Sequence, residues 1–241
     1  MKVAVILPAA GLGTRMGSPS PEKAGTSRKQ FMLLDGAPIL LHTIRKFAAS
    51  PLVTEIVVAL RGEDVAWVKD LIDNDGLQKP VRVVMGGDSR HQSVENALSG
   101  LDDDTDLVAV HDAVRPFIDQ DLIQRVIEEA SASGAAIVGI VPVDTVKQVH
   151  RNKIRATIPR DKLVLAQTPQ VFRFNLIKKA FAQAKDDGFV GTDEASLVER
   201  LEQVEVSVVA GSDRNIKITK PTDMELARLF LAGEQEKRKA S

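Results

Sequence analysis

Residues 8–17, Pro8-Ala9-Ala10-Gly11-Leu12-Gly13-Thr14-Arg15-Met16-Gly17, follow directly on a short apolar run and combine small residues with one arginine. Glycines at such a place let backbone N–H groups come close to an anion, and a basic side chain can close over it. Arg15, Lys23, Arg28 and Lys29 against Glu22 give residues 14–30 a net charge of +3 in a chain of net −1, a concentration that suits a polyphosphate. Two common phosphate loops do not fit. The Walker pattern needs Gly-Lys-Ser/Thr where Gly17-Ser18-Pro19 stands, and the dinucleotide pattern needs a third glycine at Met16. The competing reading is a glycine-rich surface loop with chance charges.

A second candidate, His111-Asp112-Ala113-Val114-Arg115-Pro116, ends a wholly apolar stretch. A carboxylate there can hold Mg²⁺, which takes one or two carboxylates and completes its shell with substrate phosphates. Alternatively Asp112 forms a turn and pairs with Arg115. His42, His91, His111 and His150 have no zinc-ligand spacing, so His111 reads as a neutral hydrogen-bonding neighbour of the carboxylate. A third candidate, Gly86-Gly87-Asp88-Ser89-Arg90-His91-Gln92-Ser93, feeds a helix expected to start near Gln92 or Ser93. It can offer backbone groups and a hydroxyl to a base edge, or Asp88 and Ser89 are helix caps. Asp144-Thr145, Arg160, Thr168-Pro169-Gln170, Thr192-Asp193-Glu194 and Asn215-Ile216-Lys217 supply hydroxyls and two cations suited to a phosphorylated polyol. Helix capping competes for Thr192 to Glu194.

The elements that must carry these groups alternate. Lys2–Leu7, Glu55–Leu60, Val81–Met85, Leu107–Val110 and Ala136–Val141 are short runs rich in Val and Ile, the pattern of strands buried on both faces. Between them Ile39, Thr43, Ile44 and Phe47, then Val65, Val68, Leu71 and Ile72, then Leu122, Val126 and Ile127 have helical spacing. This predicts an α/β fold with an open, mostly parallel sheet, whose ligands sit beyond the carboxyl ends of the strands. Val146–Val149 and Lys153–Ile158 read as a hairpin around His150-Arg151-Asn152, within a projecting segment from Asp144 to Thr168. On physics alone that segment is either a homodimer arm or a flap on its own domain. A last helix is expected from Pro221 through Thr222 to Leu231, with a frayed tail from Gly233 to Ser241. No repeat or second core interrupts the 241 residues, so one domain is expected.

Composition narrows the functional classes. With 44% hydrophobic and 27% charged residues the chain has the balance of a soluble globular protein. Its 32 Lys and Arg nearly cancel 33 Asp and Glu, which gives no global charge for nucleic acid or an acidic membrane. The absence of cysteine excludes a disulfide scaffold, Cys-ligated metals and a thiol nucleophile, and favours a cytoplasmic setting. The first apolar run is too short to span a membrane.

Taken together, Pro8 to Gly17 with Lys29-Gln30, Gly86 to Arg90 with Ser93, His111 to Pro116, Asp144 to Lys147, Thr168 to Gln170, Thr192 to Ser196 and Asn215 to Thr219 resemble the signature of the 2-C-methyl-D-erythritol 4-phosphate cytidylyltransferase family, within the sugar-phosphate nucleotidyltransferases. The resemblance runs in order from about residue 3 to residue 230. It implies a Rossmann-like three-layer mixed sheet and a homodimer interlocked through the 144–168 arm. It implies CTP and a polyol phosphate as substrates, with Mg²⁺. By that resemblance Ala9, Ala10, Gly11 and Gly13 line the triphosphate, and Gly87, Asp88 and Ser93 contact cytosine. Asp112 and Ala113 stand near the ribose, with Asp112 on the metal. Arg15, Lys29, Arg160 and Lys217 are the implied catalytic cations. Thr145, Arg160, Thr168, Thr192 and Lys217 hold the methylerythritol phosphate, Thr145 and Arg160 from across the dimer. The sequence departs from the family in the long Ser18–Ser27 link, expected to be mobile without CTP, and in Arg28 where a proline is usual, so Lys23 or Arg28 could share the work of Lys29. Three alternatives stay open. A ribitol 5-phosphate cytidylyltransferase shares most of the motifs. A dinucleotide oxidoreductase is opposed by Met16 and by Ala59-Leu60-Arg61, where an acidic residue is needed. A non-catalytic nucleotide-binding module would need neither Asp112 nor a second cation set.

Overall fold

A computed structural model of the protein describes residues 1–11 and 28–240. Gly13, Arg15, Lys23 and the Ser18–Ser27 link lie outside the described residues. A seven-stranded sheet runs in the order β11-β7-β10-β6-β1-β4-β5. Its strands are β1 (Val3–Pro8), β4 (Glu55–Leu60), β5 (Val81–Met85), β6 (Leu107–Val110), β7 (Ala135–Ile140), β10 (Leu165–Arg173) and β11 (Ser207–Ala210). All neighbours pair in parallel except β10, which runs antiparallel to both β6 and β7. The sheet is therefore mixed and mostly parallel, as expected. The first and fifth predicted strands are each displaced by one residue, to Val3–Pro8 and Ala135–Ile140.

Alternate residues of each strand feed opposite layers. Val3, Val5 and Leu7 pack with Ile44 and Phe47 of α1 (Ile39–Ala48), Val68 and Ile72 of α2 (Gly62–Asp73), and Ile123, Val126 and Ile127 of α4 (Gln120–Ser133). Ala4, Ile6, Val108 and Val110 face the other layer, with Val94 and Leu98 of α3 (Arg90–Leu98), Ile177 and Phe181 of α5 (Phe174–Asp186), and Leu197 of α6 (Glu194–Glu199). A side chain buried this fully contributes about 1.5–3 kcal/mol. Two such layers make the strand ends a rigid base for the loops above them.

Two smaller sheets complete the strands. β2 (Leu33–Leu34) and β3 (Ala37–Pro38) are joined by Asp35-Gly36, both at positive φ (51° and 77°), which is the hairpin turn that Asp-Gly favours. β8 (Val146–His150) and β9 (Lys153–Ile158) form the expected hairpin, turning at Arg151 and Asn152, again at positive φ. The last helix, α7, spans Pro221–Ala240, nine residues beyond the expected end at Leu231. Its later turns are anchored by Lys46 to Glu234 at 3.0 Å and by Gln235 to Asp35 at 2.6 Å. The tail's Glu, Gln, Lys, Arg and Ala are also good helix formers.

Candidate active site

Three strand ends converge. Beyond β1 stand Ala9, Ala10 and Gly11, beyond β5 Gly86-Gly87, and beyond β6 His111-Asp112-Ala113, in strands that lie close together in the sheet. They enclose a cleft of about 260 Å³, also lined by Lys29, Gln30, Asp88, Ser89, Arg90, Ser93 and Lys217. The structure thus brings together Ala9, Ala10, Gly11, Lys29, Gly87, Asp88, Ser93, Asp112, Ala113 and Lys217 from residues up to 208 positions apart.

The carbonyls of Ala9, Ala10 and Gly11 in the first loop are held by protein donors. Gln30 Nε2 donates to Ala9 O at 2.7 Å and to Gly11 O at 3.0 Å, and Arg61 Nε donates to Ala10 O at 3.0 Å. The Ala9 N–H is spent on Ala59 O at 2.8 Å, so the N–H groups of Ala10 and Gly11 are what this stretch retains for an anion. Gln30 is 4% exposed, and in the sequence only its place after Lys29 sets it apart.

The second turn is packed against the first. A Cβ on Gly86 would stand 2.5 Å from Ala10 Cβ, so only glycine lets the β5 turn approach β1 this closely. Ser89 caps α3 by accepting from Gln92 N at 3.0 Å, which starts the helix at Arg90, ahead of the expected Gln92 or Ser93. Ser93 Oγ accepts from Gly87 N at 3.1 Å and donates to Ser89 O at 2.8 Å, so the hydroxyl fixes the turn that edges the cleft.

At the floor lies Asp112, 6% exposed and ringed by three cations. Lys217 Nζ is 2.9 Å and Arg115 Nε 3.2 Å from Oδ2, and Arg90 Nε is 3.4 Å from Oδ1. Burial alone would raise its pKa, but Lys217, Arg90 and Arg115 hold the carboxyl well below the usual carboxylate range. Each cation has its own support. Arg90 is paired through both terminal nitrogens with the buried Glu194, at 2.6 and 2.9 Å. Burial disfavours its charge, yet Glu194 and Asp112 raise its pKa above the ordinary value. Arg115 Nη1 donates to Asn215 O at 2.7 Å. Lys217 stands between Asn215, whose Nδ2 donates to Thr168 O at 2.9 Å, and Ile218, whose N–H donates to Val114 O at 3.0 Å. The Asp112–Arg115 pair weighed from sequence is present, within a larger set.

His111 is fully buried, and burial pushes it down to about 4. Its Nε2 lies 3.1 Å from Arg115 O and its Nδ1 3.1 Å from Thr168 Oγ1, the hydroxyl that accepts from Asp112 N at 3.0 Å. It is the neutral hydrogen-bonding residue read from the sequence.

Other expected residues lie apart from the cleft within one chain. Thr145, Arg160 and Thr192 are exposed, with Arg160 donating to Val143 O. Asp193, not Thr192, caps α6 in a capping box with Ser196. Arg28 points away from the cleft into a pair with Asp64. The Arg90–Glu194 pair escaped the sequence reading, because nothing in a motif indicates which acid a given arginine will meet.

The donor set bears on Mg²⁺. Among the described residues no three acidic or histidine side chains converge on one point. Both oxygens of Asp112 already accept from cations. Asp112 could therefore contribute one carboxylate to a divalent ion whose other ligands come from elsewhere. Also among the described residues, no helix is long and apolar enough to cross a membrane.

The chain is similar to known proteins over nearly its whole length. The family model described as 2-C-methyl-D-erythritol 4-phosphate cytidylyltransferase matches residues 3–233. The protein of that name from Solibacter usitatus is 67% identical over 238 residues, 97% of each chain. The crystal structure of 4-diphosphocytidyl-2C-methyl-D-erythritol synthase from Anaerococcus prevotii superimposes with a TM-score of 0.82 at 28% identity, covering 95% of this chain and 98% of that one. The 2-C-methyl-D-erythritol 4-phosphate cytidylyltransferase of Francisella tularensis gives 0.77 at 36% identity, covering 95% and 99%.

Proposed function

This chain belongs to the 2-C-methyl-D-erythritol 4-phosphate cytidylyltransferase family, and from that premise we propose how its residues divide the work of the reaction. The enzyme is a nucleotidyltransferase that moves the cytidylyl group of CTP to 2-C-methyl-D-erythritol 4-phosphate in isoprenoid precursor synthesis. The observation that carries the assignment of roles is one cleft lined by two glycine turns, Lys29 and Asp112, with Lys217 2.9 Å from Asp112.

The Ala9–Gly11 backbone, with Gly13 and Arg15 of the same motif, holds the triphosphate, and Lys29 stands beside it. Gly87, Asp88 and Ser93 take the cytosine edge, and Asp112 with Ala113 the ribose side. An oxygen of the acceptor's phosphate attacks the α-phosphorus in line. The new P–O bond forms as the bond to the bridging oxygen breaks, and pyrophosphate leaves. A phosphate monoester has its second pKa near 6, so it is largely dianionic at neutral pH and needs no strong general base. Catalysis is then positioning and charge stabilisation by Arg15, Lys29, Arg160 and Lys217. Mg²⁺ bound with CTP would screen the phosphate charges, with Asp112 as its protein contact. Thr145, Arg160, Thr168, Thr192 and Lys217 hold the acceptor.

Thr145 and Arg160 lie on or beside the β8–β9 hairpin, away from the cleft of their own chain. We therefore assign residues 144–164 to a homodimer arm that carries both into the partner's site; residues 165–168 of the expected arm belong instead to β10 of the central sheet. Exposed Val149, Ile154 and Val164 support this by giving the arm an apolar surface to cover. The lack of cysteine supports a cytoplasmic setting. The test is pyrophosphate release by the purified protein with Mg²⁺, CTP and either 2-C-methyl-D-erythritol 4-phosphate or ribitol 5-phosphate. Release with the first and little with the second is expected. No release with either would reject the assignment.

A further inference from the structure

Arg28, immediately before Lys29, is 8% exposed. Its guanidinium is committed inside the protein. One terminal nitrogen pairs with Asp64 Oδ1, the other lies 3.4 Å from Glu63 Oε1, and the group sits 5.1 Å from the centre of the Phe31 ring. Asp64 is 1% exposed, and the edge of Trp67 closes the cluster, its ring 4.7 Å from Phe31. A buried ion pair is a poor source of net stability compared with apolar packing, and its best-attested use is to fix position or register. Asp64 in the first turn of α2 also complements that helix's N-terminus. That explains a carboxylate there but not the burial of Arg28 against it, because exposed Glu63 in the same turn would serve the helix as well.

The neighbours show what is being fixed. Lys29 and Gln30 follow Arg28 within one short 3-10 turn, and Gln30 holds the Ala9 and Gly11 carbonyls. Arg61, the residue before α2, holds the Ala10 carbonyl. The start of α2 therefore grips both sides of one end of the cleft through two arginines.

We propose that Arg28 and Asp64 are positioning residues, whose ion pair sets where Lys29 and the Ala9–Gly11 backbone stand. The inference rests on the assignment of that end of the cleft to the triphosphate of CTP. Arg28 thus acts through its neighbours and does not share the phosphate contacts of Lys29.

The test measures pyrophosphate release with each substrate varied in turn, for the full-length protein and for Arg28→Met, Arg28→Lys and Asp64→Asn, alongside their melting temperatures and Trp67 emission. Arg28→Met keeps the stem over Phe31 and removes the charge. Misplacing reacting groups by about 1 Å costs up to about a hundredfold. Arg28→Met and Asp64→Asn should therefore lower kcat/KM for CTP by about ten- to a hundredfold, with KM for the acceptor within about twofold of the parent. Arg28→Lys, which keeps charge but loses the planar fork, should recover part of that loss. Emission from Trp67, the chain's one tryptophan, should shift in Arg28→Met. The proposal is overturned by unchanged kcat/KM for CTP in a folded Arg28→Met or Asp64→Asn, or by parallel loss for both substrates in step with melting temperature. If Arg28→Met and Asp64→Asn do not fold, an Arg28→Lys protein with parental kcat/KM for CTP overturns it equally. A parent protein that releases no pyrophosphate from CTP with either acceptor would instead reject the reading of the cleft.

Discussion

Replacing Asp112 by asparagine keeps the shape of the side chain and removes the charge on which three cations converge. Asparagine offers one oxygen, while its NH₂ group faces a cationic donor at the other position. Arg90 retains its paired contact with Glu194 and Arg115 retains Asn215 O, so both keep a partner. Lys217, whose side chain is 40% exposed, is the cation released toward water. Breaking a fully buried pair costs about 3–5 kcal/mol, and the surviving partners put this case near the lower end, about 3 kcal/mol. In a chain of this size each kcal/mol moves the melting point by roughly 2–4 °C, so a fall of roughly 6–12 °C is expected at pH 7. A carboxyl held below its unfolded value contributes stability above about pH 3.9 and loses it as the pH falls from there toward the folded value. The gap between parent and variant should therefore be full at pH 7 and shrink below about pH 4. Turnover should fall by roughly 10²–10³ if Lys217 stabilises charge in the transition state. Circular dichroism melts at the two pH values and pyrophosphate release supply the measurements. A variant melting within about 2 °C of the parent, with turnover within about threefold, would refute the view of Asp112 as the anchor of these cations.

His111 offers a separable pH test. Its folded value of about 4 lies below the ordinary 6.5. The unfolded chain therefore takes up a proton first as pH falls, and stability should drop by about 3 kcal/mol between pH 7 and pH 4 on this account. Urea denaturation of His111→Gln should show a flatter profile over that range, and an unchanged slope would rule the histidine out as its source. Gly86→Ala places a methyl against Ala10 Cβ, so overpacking of about 1–3 kcal/mol and a raised KM for CTP are expected from melting and initial-rate measurements. Val149 and Ile154 pair across the hairpin and are both exposed. Replacing both by lysine should convert a dimer to a monomer in sedimentation velocity without unfolding the sheet, and an unchanged sedimentation coefficient would count against the arm.

The parts of the fold legible in the sequence were those whose burial is two-sided. β1 and β6, and β4 after Glu55, are apolar runs because both faces meet the core, whereas β5, at the sheet edge, is interrupted by the exposed Arg82; the residues that follow β1, β5 and β6 line the cleft. β10 had no such signal. Its residues 167–170 are Gln-Thr-Pro-Gln, where the register with β7 shifts, and their side chains serve hydrogen bonds: Gln170 reaches Asp193 and the Ala195 N–H, and Gln167 accepts from Asn215. A strand used for polar scaffolding shows neither a run nor an alternation, so only the motif Thr168-Pro169-Gln170 marked it. The site residues were legible one motif at a time for the same reason that the strands were. Their pairings were not, since Arg90 and Glu194 are 104 residues apart and meet only through the sheet order.

Those pairings change what the cations imply. Counted by sequence, the chain is nearly neutral with a local excess of base, which suggests attraction as the main role of charge. At the cleft Arg90, Arg115 and Lys217 are offset by Asp112 and Glu194, so the attraction on an incoming anion is smaller than the count of cations implies. What the acids provide instead is placement. Arg90 is gripped by Glu194 and aimed at Asp112, Arg115 is fixed by Asn215, and Lys217 is brought to the same carboxylate from the far end of the chain. Charges held in this way need little reorganisation when negative charge moves from an α-phosphorus to departing pyrophosphate, the condition under which fixed dipoles and cations lower a barrier most. A lone aspartate at a strand end reads from sequence as a metal ligand. In the folded chain the same carboxylate also meets three cations, so placing them is a second role beside any contact with a metal.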